Sequence, residues 1–170
     1  ERARLWPASK PLRIASPAID AKVFSASHDA PIATRANKTL LYAGSYMPYK
    51  GVETIVEALQ KLPDYELHLV SPATDDIQRR LLRIAGEAAD RVKFLGGLAD
   101  ADYARVLRQA TAFVSASLDE GFGIPILEAL SFSIPTICLY NCLITNSGAL
   151  ILNLNIHGEK ETYAYFYINI

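Results

Sequence analysis

The sequence predicts an α/β fold in which a parallel sheet carries helices on both faces. In this chain of 170 residues, short apolar runs alternate with longer segments whose apolar residues recur at helical spacing. That order is typical of parallel strands joined by right-handed crossovers. Glycine-containing loops also follow several of the apolar runs, as expected where a strand ends and a helix begins at the ligand-binding edge of a sheet.

The predicted elements follow one another through the middle of the chain. Strands are predicted over residues 39–44, 66–71, 91–95, 112–114 and 135–139. Helices are predicted between them, over residues 52–62, 75–89, 100–110 and 125–130. Thr74 is the expected N-cap of the second helix because its hydroxyl can accept a bond from a free backbone N–H. In the third helix, Tyr103, Val106 and Leu107 are expected to face inward.

Composition indicates a globular domain and argues against several partners. The chain is 51% hydrophobic and 21% charged, and its formal net charge is −1. Nucleic acids and anionic membranes usually select a basic face, so neither is predicted as the main partner. No apolar run reaches the roughly 20 residues of a membrane-spanning helix, and no signal peptide is recognisable.

The cysteines and histidines do not predict a metal site. Cys138 and Cys142 have no second pair and no neighbouring histidine set, so zinc is not expected. His28, His68 and His157 are scattered and match no metal motif. No disulfide framework is implied either, which makes a reducing cytoplasm the default location.

The stretch DEGFGIPILE, residues 119–128, carries the clearest chemical signal. Gly121 and Gly123 permit a tight turn and a close approach of a ligand to the backbone. Pro125 suits the first turn of a helix, where its missing N–H costs nothing. The backbone N–H groups at this helix start are therefore predicted to form an anion site, at Phe122, Gly123 and Ile124.

Two carboxylates, Glu120 and Glu128, flank this predicted anion site. A helix start can hold a phosphate, and carboxylates accept hydrogen bonds from hydroxyls. Phosphate and hydroxyls together describe a sugar nucleotide. A second loop, SYMPYKG at residues 45–51, follows the first predicted strand and should lie at the same edge of the sheet.

Both loops resemble motifs of one enzyme family. The run EGFGIPILEAL, with seven residues between its two glutamates, resembles the E-x7-E signature of retaining glycosyltransferases of family 4. The second loop is similar to the family's G-R-x-x-x-x-K-G motif: Lys50 and Gly51 match, and Ser45 stands where arginine is common. The resemblance extends over roughly residues 17–137. It implies the C-terminal, donor-binding half of a GT-B fold, a Rossmann-like sheet with helices on both faces.

The resemblance also implies a reaction. A sugar would pass from a GDP- or UDP-sugar to an acceptor hydroxyl with retention at the anomeric carbon, and no metal or cofactor would be required. Lys50 and Ser45 would hold the diphosphate, with Lys50 and Glu120 as catalytic residues. Glu120 would contact the transferred sugar, and Glu128 the ribose.

A third loop, after the predicted strand RVKFL, is similar to the family's VxFxG segment, whose backbone meets the nucleobase. Phe94 is interpreted as a core residue, not as a stacking platform. The predicted donor site as a whole comprises Gly44, Ser45, Lys50, Gly51, Gly96, Gly97, Leu98, Glu120, Gly121, Phe122, Gly123, Ile124 and Glu128.

Three parts of the chain are predicted. Residues 1–38 contain PAIDAKVF, which is similar to the family's segment between its two domains, although a plain N-terminal extension is an alternative. Residues 39–140 form the nucleotide-sugar-binding domain. Residues 141–170 are rich in asparagine and match no family element, so they are hypothesised to be foreign or truncated, with β-prone segments at 149–156 and 163–170.

Three functions remain open from the sequence. The first is the donor half of a glycosyltransferase, of mannosyl type if the run MPYKG is a guide. The second is a non-catalytic remnant that binds nucleotide or nothing. The third is a different Rossmann-like enzyme, such as a nucleotide-sugar epimerase or a phosphorylase of the same architecture. Because the resemblance places an acceptor-binding domain before residue 1, the isolated chain is expected to bind donors weakly and to transfer little.

Overall fold

A computed structural model of the chain describes residues 38–119 and 123–139, and the backbone of two further strands at Ala149–Asn153 and Tyr163–Tyr167. Five parallel strands are formed by β1 (Thr39–Tyr42), β2 (Glu66–Leu69), β3 (Val92–Phe94), β4 (Ala112–Ser115) and β5 (Thr136–Leu139). The helices between them are α1 (Val52–Leu59), α2 (Asp75–Ala85), α3 (Asp100–Gln109) and α4 (Ile124–Ser131). The predicted linker before Lys38 lies outside the described residues.

The strand order of the parallel sheet is β3-β2-β1-β4-β5. The chain therefore first builds outward on one side of β1, then crosses over and continues on the other side. Between β1 and β4 the direction of winding reverses. In open α/β sheets, the carboxyl ends of two such strands splay apart and leave the crevice in which ligands bind.

Two apolar cores cover the two faces of the sheet, as predicted. Helices α1 and α2 pack on one face through residues such as Val56 and Leu81, against Leu40 and Tyr42 of β1. Helices α3 and α4 pack on the other face, against Leu41 and its neighbours. Alternate residues of β1 thus enter opposite cores, which is the pattern of a strand buried on both sides.

Some predicted boundaries were wrong. Helix α1 ends at Leu59, not at residue 62, and Leu62 is exposed at the surface. The amide of Leu62 donates to the Leu59 carbonyl, so the last turn is tight, and the following Pro63 disfavours further helix. Helix α2 ends at Ala85 because Gly86 leaves the helical conformation, with a φ of 56° and a ψ of −122° that favour glycine. The predicted N-cap of α2 is confirmed: the amide of Ile77 donates to Oγ1 of Thr74.

Two antiparallel strands extend the sheet beyond the predicted parallel set. Strand β7 (Tyr163–Tyr167) pairs with β5, and β6 (Ala149–Asn153) pairs with β7. The two β-prone segments of the tail do form strands. Residues 154–162 between them are too few for the helical crossover that a parallel pair would require, so an antiparallel pairing is the accessible one.

Candidate functional site

A cavity of about 140 Å³ lies where the carboxyl ends of β1 and β4 diverge. Its walls come from the end of β1, the loop that follows it, strand β4 and the start of α4. The lining residues are Tyr42, Ala43, Gly44, Ser45, Lys50, Phe113, Ser115, Gly123, Pro125 and Ile126. Four residues of the predicted donor site, Gly44, Ser45, Lys50 and Gly123, therefore meet around one space.

The start of the first loop is fixed from below by a buried tyrosine. The Tyr42 hydroxyl donates to the Ser45 carbonyl oxygen over 2.7 Å. A Cβ on Gly44 would lie 2.8 Å from that hydroxyl oxygen, so the position has no room for a side chain. The amide of Gly44 donates to the Ser71 hydroxyl oxygen over 3.2 Å. These contacts hold Gly44 and Ser45 at the edge of the cavity.

Lys50 reaches the cavity from a short 3₁₀ turn, Pro48–Lys50. Gly51 ends that turn with a left-handed φ of 63° and also begins α1. A Cβ on Gly51 would stand 2.2 Å from the Ala116 carbonyl oxygen. Glycine is thus needed at position 51 for two reasons, the backbone conformation and the close approach to Ala116. Both fix the position of the half-buried Lys50 beside the cavity.

The two signature loops are joined by a direct backbone hydrogen bond. The amide of Leu118 donates to the Tyr49 carbonyl oxygen over 2.7 Å. The Ser117 hydroxyl donates to the Asp119 carbonyl oxygen over 2.8 Å, which shapes the chain just before the first glutamate of the signature. The predicted neighbours Glu120, Gly121 and Phe122 lie outside the described residues. The loop that leads to them is nevertheless tied to the loop of Lys50.

Helix α4 starts at the wall of the cavity. Gly123 is its N-cap, with a left-handed φ of 69°, and Pro125 lies in its first turn, as predicted. The amides of Ile126 and Leu127 donate to the Gly123 carbonyl oxygen. The predicted residue Ile124 is the first of the helix. The positive end of the helix dipole therefore faces the same space as the Lys50 side chain.

Glu128 does not line this cavity, although it lies on α4 three residues after Pro125, which does. Its carboxylate Oε2 accepts a 2.9 Å hydrogen bond from the hydroxyl of Tyr103 on α3. Burial, and then the charge and the hydrogen bond of Glu128, raise the pKa of the Tyr103 phenol far above its usual value. The phenol therefore stays protonated and acts as the donor.

The predicted base-binding residues Gly96, Gly97 and Leu98 do not line the first cavity. Gly96 has a left-handed φ of 67°, and Leu98 packs against the core beneath α3 and α4. A Cβ on Gly97 would lie 3.4 Å from Cγ of Pro72. Pro72 lines a second, more open cavity of about 650 Å³. This cavity shares Gly44 and Ser45 with the first, so the two cavities adjoin.

Sequence reasoning missed several residues around these cavities. Tyr46 lines the second cavity, and its hydroxyl donates to the Ser71 carbonyl oxygen over 3.0 Å. Burial raises the pKa of the Tyr46 phenol to about 12. Tyr42 and Tyr103 support the site from the core. For Tyr42, its place in the apolar run TLLYAG was the available signal, because a buried hydroxyl needs a partner.

Within the described ranges, no group of three or more His, Cys, Asp or Glu side chains is arranged to hold a metal ion. In the same part of the chain, every helix is too short or too polar to cross a bilayer.

The sheet order and the flanking helices define a Rossmann-like α/β domain like those of GT-B glycosyltransferases. The chain belongs to the family of glycosyl transferases group 1, whose model matches residues 26–145. This membership confirms the predicted class of enzyme and decides against a different Rossmann-like enzyme such as an epimerase.

Two curated relatives are mannosyltransferases. The chain is 33% identical over 106 residues to the O-antigen chain mannosyltransferase B of Escherichia coli, covering 58% of this chain and 27% of the relative. It is 35% identical over 112 residues to the phosphatidyl-myo-inositol mannosyltransferase of Mycolicibacterium smegmatis, covering 61% and 28%. The chain thus spans little more than a quarter of the length of these relatives.

Solved structures share the fold. The C-terminal domain of the group 1 glycosyl transferase LpcC from Francisella tularensis superposes with a TM-score of 0.52 at 28% identity, covering 59% of this chain and 56% of that one. Anabaena HepE, solved in complex with UDP and glucose, gives a TM-score of 0.54 at 23% identity, covering 71% and 34%.

Proposed function

We propose that this chain is the donor-binding half of a retaining glycosyltransferase of family 4, which moves a hexose, mannose in our proposal, from a nucleotide sugar to an acceptor hydroxyl. The observation that carries the proposal is that Lys50 and Gly123 line one cavity at the switch point of the sheet. A lysine ammonium and a helix start are two positive groups, and a nucleoside diphosphate presents the matching negative charge.

The chemistry follows from where charge develops. In sugar transfer from a nucleotide donor, the bond between the anomeric carbon and the diphosphate breaks, and negative charge grows on the departing phosphate oxygen. Lys50 and the amides at the start of α4 would stabilise that charge, since groups already in place need no reorganisation during the reaction. Ser45, which stands where the family commonly has arginine, would add a hydrogen bond but no charge.

The other predicted site residues would bind the remaining parts of the donor. Glu120 would accept hydrogen bonds from the transferred sugar, and Glu128 from the ribose. The nucleobase, guanine or uracil, would lie toward the backbone of Gly96, Gly97 and Leu98. The backbone amides of Gly121 and Phe122 would complete the binding of the phosphate and of the sugar. These residues are proposed on the motifs that they occupy, in a reaction located in the cytoplasm.

Similarity to known proteins supports both the assignment of this chain to the donor-binding half and the choice of mannose as the sugar. LpcC was solved as a C-terminal domain, and this chain matches more than half of it at 28% identity. The two curated relatives transfer mannose, as their names state. Because the chain spans little more than a quarter of those relatives, we further propose that the isolated chain binds donor nucleotide weakly and does not transfer sugar.

Calorimetric titration of the 170-residue chain with UDP, GDP, UDP-glucose and GDP-mannose tests the proposal. Lys50→Ala should weaken binding by about 10-fold or more, because a charged hydrogen bond is worth roughly 1.5–3 kcal/mol. Lys61→Ala is the matched control: Lys61 is exposed after α1, and its removal should leave the affinity unchanged. Equal affinities for the two variants would contradict the role of Lys50.

A second variant tests whether Glu120 contacts the transferred sugar. Glu120→Ala should keep the affinity for the plain nucleoside diphosphate and lose the added affinity for the nucleotide sugar. If the variant binds donor sugars as well as the parent does, Glu120 is not part of the site. Sugar transfer by the isolated chain would overturn the proposal that it is inactive alone.

A further inference from the structure

One hydrogen bond joins the two helices that follow the predicted base and phosphate loops. Tyr103 lies in the first turn of α3, shortly after the loop of Gly96, and Glu128 lies in α4. The Tyr103 hydroxyl donates to Oε2 of Glu128 over 2.9 Å, across 25 positions of sequence. The contact therefore exists only because the fold places α3 beside α4 on the same face of the sheet.

The position of Glu128 on α4 relates it to the cavity. Pro125, three residues earlier, lines the cavity wall, and residues three apart share a helix face. Helical side chains also tilt toward the amino end of their helix, which here is the cavity end. Glu128 thus lies on the same face of α4 as Pro125, one turn from the helix start, although it does not itself line the cavity.

The hydroxyl of Tyr103 has a defined chemical state. Burial, followed by the charge and the hydrogen bond of Glu128, raises its pKa and so favours the protonated form, which donates. An ionised carboxylate offers about four acceptor positions on its two oxygens. A bond from Tyr103 orients the group without exhausting its capacity to accept bonds from a ligand.

We propose that Tyr103 is a positioning residue that orients the Glu128 carboxylate toward the ribose hydroxyls of the bound nucleotide. The proposal rests on the proposed function, in which Glu128 contacts the ribose. A carboxylate that is already oriented loses less side-chain freedom when the nucleotide binds, and this gain applies only to ligands that carry ribose hydroxyls. Tyr103 would thereby contribute to selectivity for ribose, although it does not touch the ligand.

The experiment compares UDP and GDP with their 2′,3′-dideoxy analogues, which lack both ribose hydroxyls. The measured quantity is the ratio of the dissociation constant of the dideoxy form to that of the ribose form. In the parent chain this ratio should be about 10 or more, because a hydrogen bond to a charged group is worth roughly 1.5–3 kcal/mol. Tyr103→Phe should lower the ratio about threefold or more while the affinity for the dideoxy analogue stays unchanged.

Two further variants make the result specific. Glu128→Gln should lower the ratio at least as far as Tyr103→Phe does, and the double variant should be no lower than Glu128→Gln alone, since Tyr103 acts through Glu128. Tyr65→Phe removes the same atom from a half-buried tyrosine before β2, at the other end of the sheet, and should leave the ratio unchanged.

The possible failures are distinguishable. If Tyr103→Phe weakens the ribose and dideoxy forms equally, Tyr103 supports only the fold, and the positioning role is refuted. A parent ratio retained in Tyr103→Phe refutes it as well, and a parent ratio retained in Glu128→Gln shows that Glu128 does not contact the ribose. In these cases the binding of nucleotide and its dependence on Lys50 still stand. A parent chain that binds no nucleotide overturns the proposed function and this inference together.

Discussion

The two ends of the parallel strands are stabilised in different ways. At the carboxyl end, the loops after β1 and β4 approach each other through backbone atoms, with Gly51 against Ala116 and the Leu118 amide on the Tyr49 carbonyl. At the amino end, charged side chains make the connections. Arg91 there donates to three backbone carbonyls, of Leu59, Leu62 and Tyr65.

This difference has a physical reason. Crossover helices begin at the carboxyl end of a parallel sheet and end at its amino end. The carboxyl end therefore collects helix amides and a positive dipole, and glycines leave space there for an anion. The amino end collects the last carbonyls of the helices, to which an arginine can donate further hydrogen bonds. Substitutions at the carboxyl end should thus impair ligand binding, whereas those at the amino end should affect stability alone.

Gly51→Ala should give the largest effect. The new Cβ would meet the Ala116 carbonyl oxygen at 2.2 Å, and the residue would have to keep a φ of 63°. A left-handed conformation costs about 1–2 kcal/mol, and overpacking costs about 1–3 more. We expect the free energy of unfolding, measured by urea titration, to fall by about 3 kcal/mol, and nucleotide binding to be lost.

Gly86→Ala is the control for this prediction. Gly86, at the end of α2, also has a positive φ of 56° but a ψ of −122°, and a Cβ there would meet no atom within 4 Å. Only the conformational cost should apply, about 1–3 kcal/mol for a residue other than glycine in a sparsely populated backbone region, and nucleotide affinity should be retained. Loss of nucleotide binding in Gly86→Ala as well would mean that the effect on binding is not specific to the carboxyl end of the sheet.

Arg91→Ala should give an intermediate effect, confined to stability. Its guanidinium lies 2.6 Å and 2.8 Å from the carbonyl oxygens of Leu62 and Tyr65. Hydrogen bonds from a charged group contribute about 1.5–3 kcal/mol, so we expect a loss of about 2 kcal/mol in the free energy of unfolding. Titration with nucleotide should give the affinity of the parent.

Arg79→Ala is the matched control. Arg79 is exposed on α2 and pairs with Asp76 three residues earlier, so its loss should cost less than about 0.5 kcal/mol. A change in nucleotide affinity in Arg91→Ala would contradict the separation between the two ends of the sheet.

Features that depend on neighbouring residues were predictable from the sequence, whereas contacts between residues far apart in the chain were not. Strand and helix order, the Thr74 cap and the glycine at position 51 follow from periodicity, capping and turn chemistry, all of which act within a few residues. Arg91 was interpreted as the first residue of a strand; in fact it precedes β3, and its side chain bonds carbonyls about 30 positions earlier. Nothing in its immediate sequence indicates those partners.

The candidate site shows the same division. That Lys50 and Gly123 lie at one edge followed from the rule for the carboxyl ends of parallel strands. The bond from Tyr103 to Glu128 did not follow, because it depends on the lateral contact of α3 with α4. The sequence predicted that Tyr103 faces inward, but the partner of a buried hydroxyl is set by tertiary packing.

The smallest effect is expected at the Lys38–Asp64 pair, also at the amino end of the sheet. Lys38 Nζ lies 2.7 Å from Oδ2 of Asp64, and both side chains are largely exposed. The hydrogen bond from Lys38, with the charges of Lys38 and Arg91, lowers the Asp64 pKa from 3.8. The hydrogen bond to Asp64 raises the Lys38 pKa from 10.5. Each group thus favours its charged form in the folded state.

The pH dependence follows from these directions. A lowered carboxyl pKa stabilises the fold above its unfolded value, and this is lost as pH falls through the folded value below 3.8. A raised lysine pKa stabilises the fold below its unfolded value, and this is lost as pH rises through the folded value above 10.5. Asp64→Asn should therefore differ slightly from the parent at neutral pH and low salt, and not at either extreme. If urea titrations at low and high salt give the same difference, the pair is not acting through its charge.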